Sequence, residues 1–210
     1  FAAVARGIRA EPAEVAPWRA IAPRSGLEMA MSGIGKANAA AAAARWGPGP
    51  DRPVICLGVA GALPGGGLAI ADAVIAACCL FVDEGVQTDE SFLTCDALGF
   101  AIGPEPGPIP VDPALCGRLG RLAEHRGPIA TVSTCSGTDA LARQRADAGA
   151  IAEAMEGAAA GLAAWRAGAP FAELRVISNT TGRRSAQRWD LDRALERLSD
   201  LASRLPELLA

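Results

Sequence analysis

Apolar positions along this chain fall into two patterns. Nearly unbroken apolar runs at Val54-Ile-Cys-Leu57 and Ala73–Val82 predict strands buried on both faces. Further strands are predicted at Pro128–Ser133, at Ala150–Met155 running into Glu156, and at Phe171–Ser178, with a candidate at Leu27–Ser32. Between them lie longer stretches rich in Ala and Leu. These predict helices over the alanine run ending at Trp46, over Pro113–Glu124 and Ala140–Ala148, from Gly157 to Ala167, and over the amphipathic Leu191–Leu209. Val4–Ile8 reads as a helix tail, and Gly47-Pro-Gly-Pro50 as a helix stop. Pro64–Gly67 predicts a turn. Thr88–Pro110, dense in proline and glycine, predicts an irregular surface excursion. Strands alternating with helices predict an α/β fold with a largely parallel sheet, in one domain over residues 1–210.

Polar or small residues recur where predicted strands end: Gly58-Val-Ala-Gly61, Ser133–Cys135, Glu156 and Ser178-Asn179. Ligands of open α/β sheets bind at the carboxyl ends of strands, so these ends are the candidate site. Glu156, beside the flat thioether of Met155, suits a ribose; Asn179 suits a base. Blander readings stand beside these. Glu156 can be a glutamate favoured by a helix N-terminus. Asn179 can start a turn. Gly58–Gly61 can serve helix–strand packing, and Trp189 can be a packing residue. Gly33-Ile-Gly-Lys36 has part of a phosphate loop but neither full glycine spacing nor a Ser or Thr after the lysine. Asp83 and Glu84 read as an acid pair or an exposed turn, Arg183 and Arg184 as a solvated loop. His125 reads as solvated, with no serine or cysteine beside it to make a nucleophile.

Composition narrows the partners. The net charge is −3, which gives no support for nucleic-acid or membrane-surface binding. Lys36 is the sole lysine. The six cysteines form no C-x-x-C pair, so neither a zinc site nor a disulfide framework is expected. Ala62–Val82 is apolar, but Pro64, Gly65-Gly-Gly67 and Asp72 argue against a membrane span. The N-terminal residues lack a signal-peptide layout. A soluble, cytoplasmic protein is expected.

Four blocks occur in order: Ser32-Gly-Ile-Gly-Lys-Ala-Asn-Ala-Ala40, Gly58-Val-Ala-Gly-Ala-Leu63, Ala154-Met-Glu-Gly-Ala-Ala159 and Arg175-Val-Ile-Ser-Asn-Thr-Thr-Gly-Arg183. Together they resemble the nucleoside phosphorylase/nucleosidase superfamily, and within it the futalosine hydrolases, relatives of the methylthioadenosine/S-adenosylhomocysteine nucleosidases. The resemblance implies one α/β domain around a twisted mixed sheet flanked by helices. It implies a homo-oligomer acting on a small nucleoside, with no cofactor and no metal. It carries Met155 and Glu156 onto the ribose-binding pair, and Val59, Ala60 and Gly61 onto the wall beside the scissile bond. It puts Ser178 and Asn179 at the purine, and Trp189 over the base.

The residue types suit N-glycosidic cleavage. Oxocarbenium character on the ribose is stabilised by a carboxylate, here Glu156. The departing purine is stabilised by hydrogen bonding or protonation. A carboxamide both donates and accepts, so Asn179 matches a 6-oxopurine such as hypoxanthine rather than adenine. Release of hypoxanthine from futalosine, in menaquinone biosynthesis, is therefore expected. Alternatives are a phosphorylase or nucleosidase for other 6-oxopurine nucleosides, and a catalytically silent nucleoside-binding protein. Two departures accompany the resemblance. Its first strand and following acid are expected to be absent, because the chain opens at Phe1-Ala-Ala-Val and neither Glu11, Glu14 nor Glu28 sits in the matching context. Ala154 also replaces a glutamate usual in the methylthioadenosine nucleosidases.

Overall fold

The computed structural model describes residues 2–8, 18–21 and 27–209. In chain order it opens with α1 (Ala2–Gly7), β1 (Ala20–Ile21), β2 (Met29–Ala30), α2 (Lys36–Arg45), β3 (Val54–Ala62) and β4 (Ala73–Phe81). Next come β5 (Gly85–Gln87), β6 (Phe92–Thr94), α3 (Pro113–Leu119) and β7 (His125–Thr131). The chain ends with α4 (Asp139–Asp147), β8 (Ala152–Ala154), α5 (Gly157–Arg166), β9 (Phe171–Thr180) and α6 (Leu191–Leu209).

Five strands close into a barrel in the order β3-β8-β7-β4-β9. The pairs β3/β9, β4/β7 and β7/β8 are parallel; β3/β8 and β4/β9 are antiparallel. The sheet is thus mixed, as the resemblance implied, and less parallel than the alternation of elements suggested. β9 shows why the barrel is stable. Phe171 and Ile177 pack with α5 residues Ala158, Ala159 and Ala160. Ala172, Leu174 and Val176 alternate with them and pack against Leu115 and Leu119 of α3 and Leu198, Leu201 and Leu205 of α6. The period of two along the strand feeds two separate cores. In α6 the buried residues Ala194, Leu198, Leu201, Ala202 and Leu205 lie on one helical stripe.

Several sequence expectations are corrected. β3 does not stop at Gly58 but continues to Ala62, paired with β9 throughout. Leu27–Ser32 yields only the short β2, paired with β1. Thr88–Pro110 is not wholly irregular: β6 pairs with β5 in an antiparallel hairpin. β7 starts at His125, whose Nε2 lies 2.9 Å from Asp72 Oδ2, so this histidine is not simply solvated. Glu11 and Glu14 lie outside the described residues. Among the described residues no helix is long and apolar enough to cross a membrane.

Two irregularities shape the rim of the barrel. Ala60 faces Ile177, but Gly61 faces Asn179, so Ser178 is an extra residue in β9. Such a bulge re-aims the side chains around it. Ala71, just before β4, has φ 74°, the left-handed region, while its N–H donates to Ile177 O at 2.8 Å. A Cβ is strained there by about 1–2 kcal/mol. Ala71→Gly is therefore expected to raise stability by about 1 kcal/mol, read from the urea midpoint at unchanged slope.

Candidate active site

Glu156 sits between β8 and α5, at the N-cap of the helix, with φ −127° and ψ −35°. Its carboxylate makes no capping bond. Thr131 takes that role: Ala158 N–H donates to Thr131 Oγ1 at 2.7 Å. The Glu156 side chain is released to turn outward. Oε1 accepts the Gly35 N–H at 3.1 Å. Oε2 accepts from Arg175 Nη1 at 3.1 Å and from the Met155 N–H at 3.3 Å. Glu156 does stand at the N-terminus of α5, where the helix dipole favours its charge, but its carboxylate is engaged by Gly35, Arg175 and Met155 rather than by capping.

The Gly33-Ile-Gly-Lys36 turn is thus part of the same constellation, but not as a phosphate loop. Gly33 and Gly35 both have φ 93°, which aims the Gly35 N–H at a carboxylate. Lys36 pairs with Asp83 and, at 3.1 Å, with Glu84. The acid pair noted in the sequence is therefore the partner of the sole lysine. Asp83 Oδ2 also accepts the Ser133 N–H at 2.6 Å, tying α2 to the end of β7.

Sequence reasoning passed over Arg175 and Glu173. Both lie on the face of β9 shared by Phe171 and Ile177, opposite Gly58 and Cys56 in the register. Arg175 Nε donates to Glu173 Oε1 at 2.8 Å, Nη1 also to Val59 O at 3.4 Å, and Nη2 to Cys56 Sγ at 3.1 Å. Cys79 Sγ donates to Glu173 Oε2 at 2.9 Å. Space for this cluster comes from two glycines. A Cβ on Gly58 would lie 2.6 Å from Arg175 Nη1, and one on Gly157 would lie 1.9 Å from Glu173 Oε2. The available signal was Glu-Leu-Arg in an otherwise apolar strand: opposite charges two apart share one face.

The electrostatics follow from burial. Burial pushes the Cys56 thiol up to about 12, with Arg175 opposing and Glu173 and Glu156 reinforcing. Burial, reinforced by Glu173, raises the Cys79 thiol as well. Burial alone would lower Arg175, but Cys56, Glu173 and Glu156 outweigh it and raise it. Both thiols of the cluster are thus held protonated and the guanidinium charged.

Ser178 and Asn179 stand at the β9 bulge. Ser178 Oγ donates to Asn179 Oδ1 at 2.9 Å and to Ala60 O at 3.3 Å. Asn179 Nδ2 donates to Thr180 O at 3.0 Å. Asn179 is inside the strand and does not start a turn. Its backbone bridges to Trp189, whose indole is half exposed, so Trp189 is not core packing. The Trp189 N–H donates to Gln187 Oε1 at 3.0 Å, and the Arg184 guanidinium lies 5.0 Å from the ring centroid. β3 joins the two halves: Gly61 pairs with Glu153 on one side and Asn179 on the other. The pairings set Val59, Ala60 and Gly61 beside the Val176–Asn179 stretch of β9, and Asn179 beside Trp189, while Met155 and Glu156 follow β8, the other neighbour of β3.

A second buried ion pair was also missed. Arg145 Nη1 lies 2.5 Å from Glu153 Oε2, and both contact Ser136. Gln187 Nε2 donates to Ser136 O at 2.8 Å and Gly182 O at 2.9 Å, tying the loop after β7 to the loop after β9.

Residues 25–210 match the family profile of the phosphorylase superfamily. The chain belongs to this superfamily. The resemblance read from the four blocks is borne out. A futalosine hydrolase of Acidothermus cellulolyticus is 42% identical over 149 residues, 69% of this chain, and the match spans only 60% of that relative. One of Thermus thermophilus is 34% identical over 207 residues, covering 97% of this chain and 89% of its own. The solved native structure of the Helicobacter pylori futalosine hydrolase superposes with a TM-score of 0.72 at 18% identity, over 100% of this chain and 93% of that one. At that identity the likeness is one of fold.

The Cys56 thiol makes an alkaline prediction. A pKa raised from 9.0 to about 12 on folding means that the folded state holds the proton more tightly. Its stabilising contribution is full below pH 9 and is lost as pH rises toward 12. Urea midpoints between pH 8 and pH 10.5 should fall more steeply for the wild type than for Cys56→Ser, by up to about 1.4 kcal/mol per pH unit.

Proposed function

We propose that this protein hydrolyses the N-glycosidic bond of futalosine and releases hypoxanthine, with water as nucleophile. Glu156 holds the ribose hydroxyls and stabilises positive charge at the anomeric carbon. Met155 lies along the sugar, and Val59, Ala60 and Gly61 wall the scissile bond. Asn179, oriented by Ser178, binds the 6-oxopurine through its carboxamide, and Trp189 covers the base. We read the whole chain as one such domain, cytoplasmic and homo-oligomeric. The exposed Ile34 and Phe100 would supply apolar surface for association.

One observation carries the reading. Glu156 is relieved of helix capping by Thr131 and is held at the strand ends by Gly35, Met155 and Arg175. Asn179 lies on β9, and β3 links that strand to β8, which leads into Glu156. Relatives named futalosine hydrolase support the choice of substrate. Hydrolysis is favoured over phosphorolysis because the cations here are already engaged. Lys36 is matched by Asp83 and Glu84, and each nitrogen of Arg175 has an acceptor. The Gly35 N–H that might bind an anion is spent on Glu156.

Chromatography of products from futalosine, inosine and methylthioadenosine, each with and without phosphate, tests this. Hypoxanthine from futalosine, at a rate independent of phosphate, is the expected result. Release that requires phosphate would make the protein a phosphorylase. Ligand-induced thermal stabilisation without turnover would make it a binding protein. Glu156→Gln is expected to lower kcat by about 10²-fold or more, and wild-type turnover in that variant would sink its assignment.

The base contact has its own test. An aspartate accepts without donating, so it cannot pair with O6 of hypoxanthine while ionised. Asn179→Asp should cut kcat/KM on futalosine by about 10²-fold and lower the preference for a 6-oxopurine over an adenine nucleoside. An unchanged preference in competition assays would remove Asn179 from the base.

A further inference from the structure

Glu173 is a carboxylate with 0% exposure in the middle of a strand, and the proposed reaction does not use it. Burial of such a charge costs several kcal/mol unless it is well paired. The fold accommodates it at two further expenses: position 157 must lack a side chain, and a buried thiol is turned toward its second oxygen. Its partner is Arg175, and Arg175 is the cation that touches Glu156. Lys36 and Arg145 are matched by carboxylates of their own.

The charges decide what Glu173 does. A lone Arg175–Glu156 pair would be neutral, and Glu156 would offer little field to a cation forming on the ribose. With Glu173 added, the three groups carry a net charge of −1. Cys56 and Cys79, whose thiols burial keeps protonated, add nothing to that sum. The geometry also divides the guanidinium: Nε is committed to Glu173 and Nη2 to Cys56, leaving Nη1 for Glu156 and the Val59 carbonyl.

We infer that Glu173 is a positioning residue of the reaction: by pairing with Arg175 it fixes the guanidinium and leaves Glu156 an uncompensated negative charge at the ribose. This rests on the reading of Glu156 as the ribose contact. The role is electrostatic and is exerted through Arg175; Glu173 itself does not meet the substrate.

Two ligands and two variants test it. One ligand is an iminoribitol bearing hypoxanthine, whose protonated ring nitrogen mimics the oxocarbenium charge. The other is its uncharged carbocyclic counterpart. Calorimetry gives the preference for the cation in the wild type, in Glu173→Gln and in Glu173→Asp, with kcat and KM on futalosine measured beside it. Glu173→Gln should lose at least about tenfold of that preference and at least about tenfold in kcat, with KM changed less than about threefold. Glu173→Asp keeps the charge while shortening the side chain, and should hold the preference within about threefold of the wild type. Full preference and full kcat in Glu173→Gln would overturn the inference, as would an equal loss in both variants, which would mark a role in shape. If the glutamine variant does not fold, the aspartate variant decides: retained preference supports the charge, and lost preference overturns it. A wild type that binds neither ligand would overturn the underlying reading and this inference together. A wild type that binds and turns over beside an unaffected Glu173→Gln would overturn this inference alone.

Discussion

The structure depends on one buried guanidinium. Arg175 is buried on β9 with Glu173 on its Nε and Glu156 on its Nη1. A charge there is tolerable only because every nitrogen finds an acceptor. That requirement reaches far along the chain. It calls for a glycine at position 58, opposite Arg175 in the register, and a glycine at position 157, beneath Glu173. It holds β3 against β9, since Arg175 also reaches Val59 O and Cys56 across the pair. The strand ends that carry the candidate site are therefore fixed by an ion cluster under them, as well as by the apolar packing on either side.

Around that cluster, two local exchanges free the side chains that matter. Thr131 of β7 caps α5 in place of Glu156, so a residue at a helix start can face outward. The extra residue Ser178 in β9 breaks the strand alternation, so Ser178 and Asn179 are both buried and linked to each other. Each exchange depends on a neighbouring strand: the cap on β7 and the bulge on β3. β3 lies between β8 and β9, and its end touches Glu153 and Asn179 at a single residue, Gly61. Glu156 and Asn179, more than twenty residues apart in the chain, thus belong to segments that flank one strand.

Much of this was legible in the sequence. Continuous apolar runs marked β3 and β4, and the Leu191–Leu209 stripe gave α6 to the residue. Glu156 and Asn179 stood out because a polar group at the end of an apolar strand has no place in a core. The misses share a cause: they depend on partners distant in sequence. Gly58-Val-Ala-Gly61 looked like a strand stop because glycine weakens strands; space for Arg175 overrides that propensity. Ser178 carries no local mark of a bulge, which exists only as a shift in register with β3. Barrel closure is likewise a property of pairing. His125 looked solvated because Asp72, its partner, lies in another element's approach. Glu173 and Arg175 were readable in principle, as opposite charges two apart in a buried strand.

The two sides of the site differ in how firmly they are held. Glu156 is fixed by backbone N–H groups and by a guanidinium whose side chain is 3% exposed. Trp189 is fixed by Gln187, Arg184 and a single backbone bridge, in a half-exposed segment. Gln187 in turn reaches the loop that the buried Arg145–Glu153 pair supports through Ser136. The rigid ion pair thus anchors a loop, and the loop anchors Trp189 through Gln187 by contacts that water can replace. Exposed hydrogen bonds are the ones that open at least cost. The Glu156 side is held rigidly around its charges, which is where a fixed field is worth most. The Trp189 segment can therefore open without disturbing the buried cluster around Arg175.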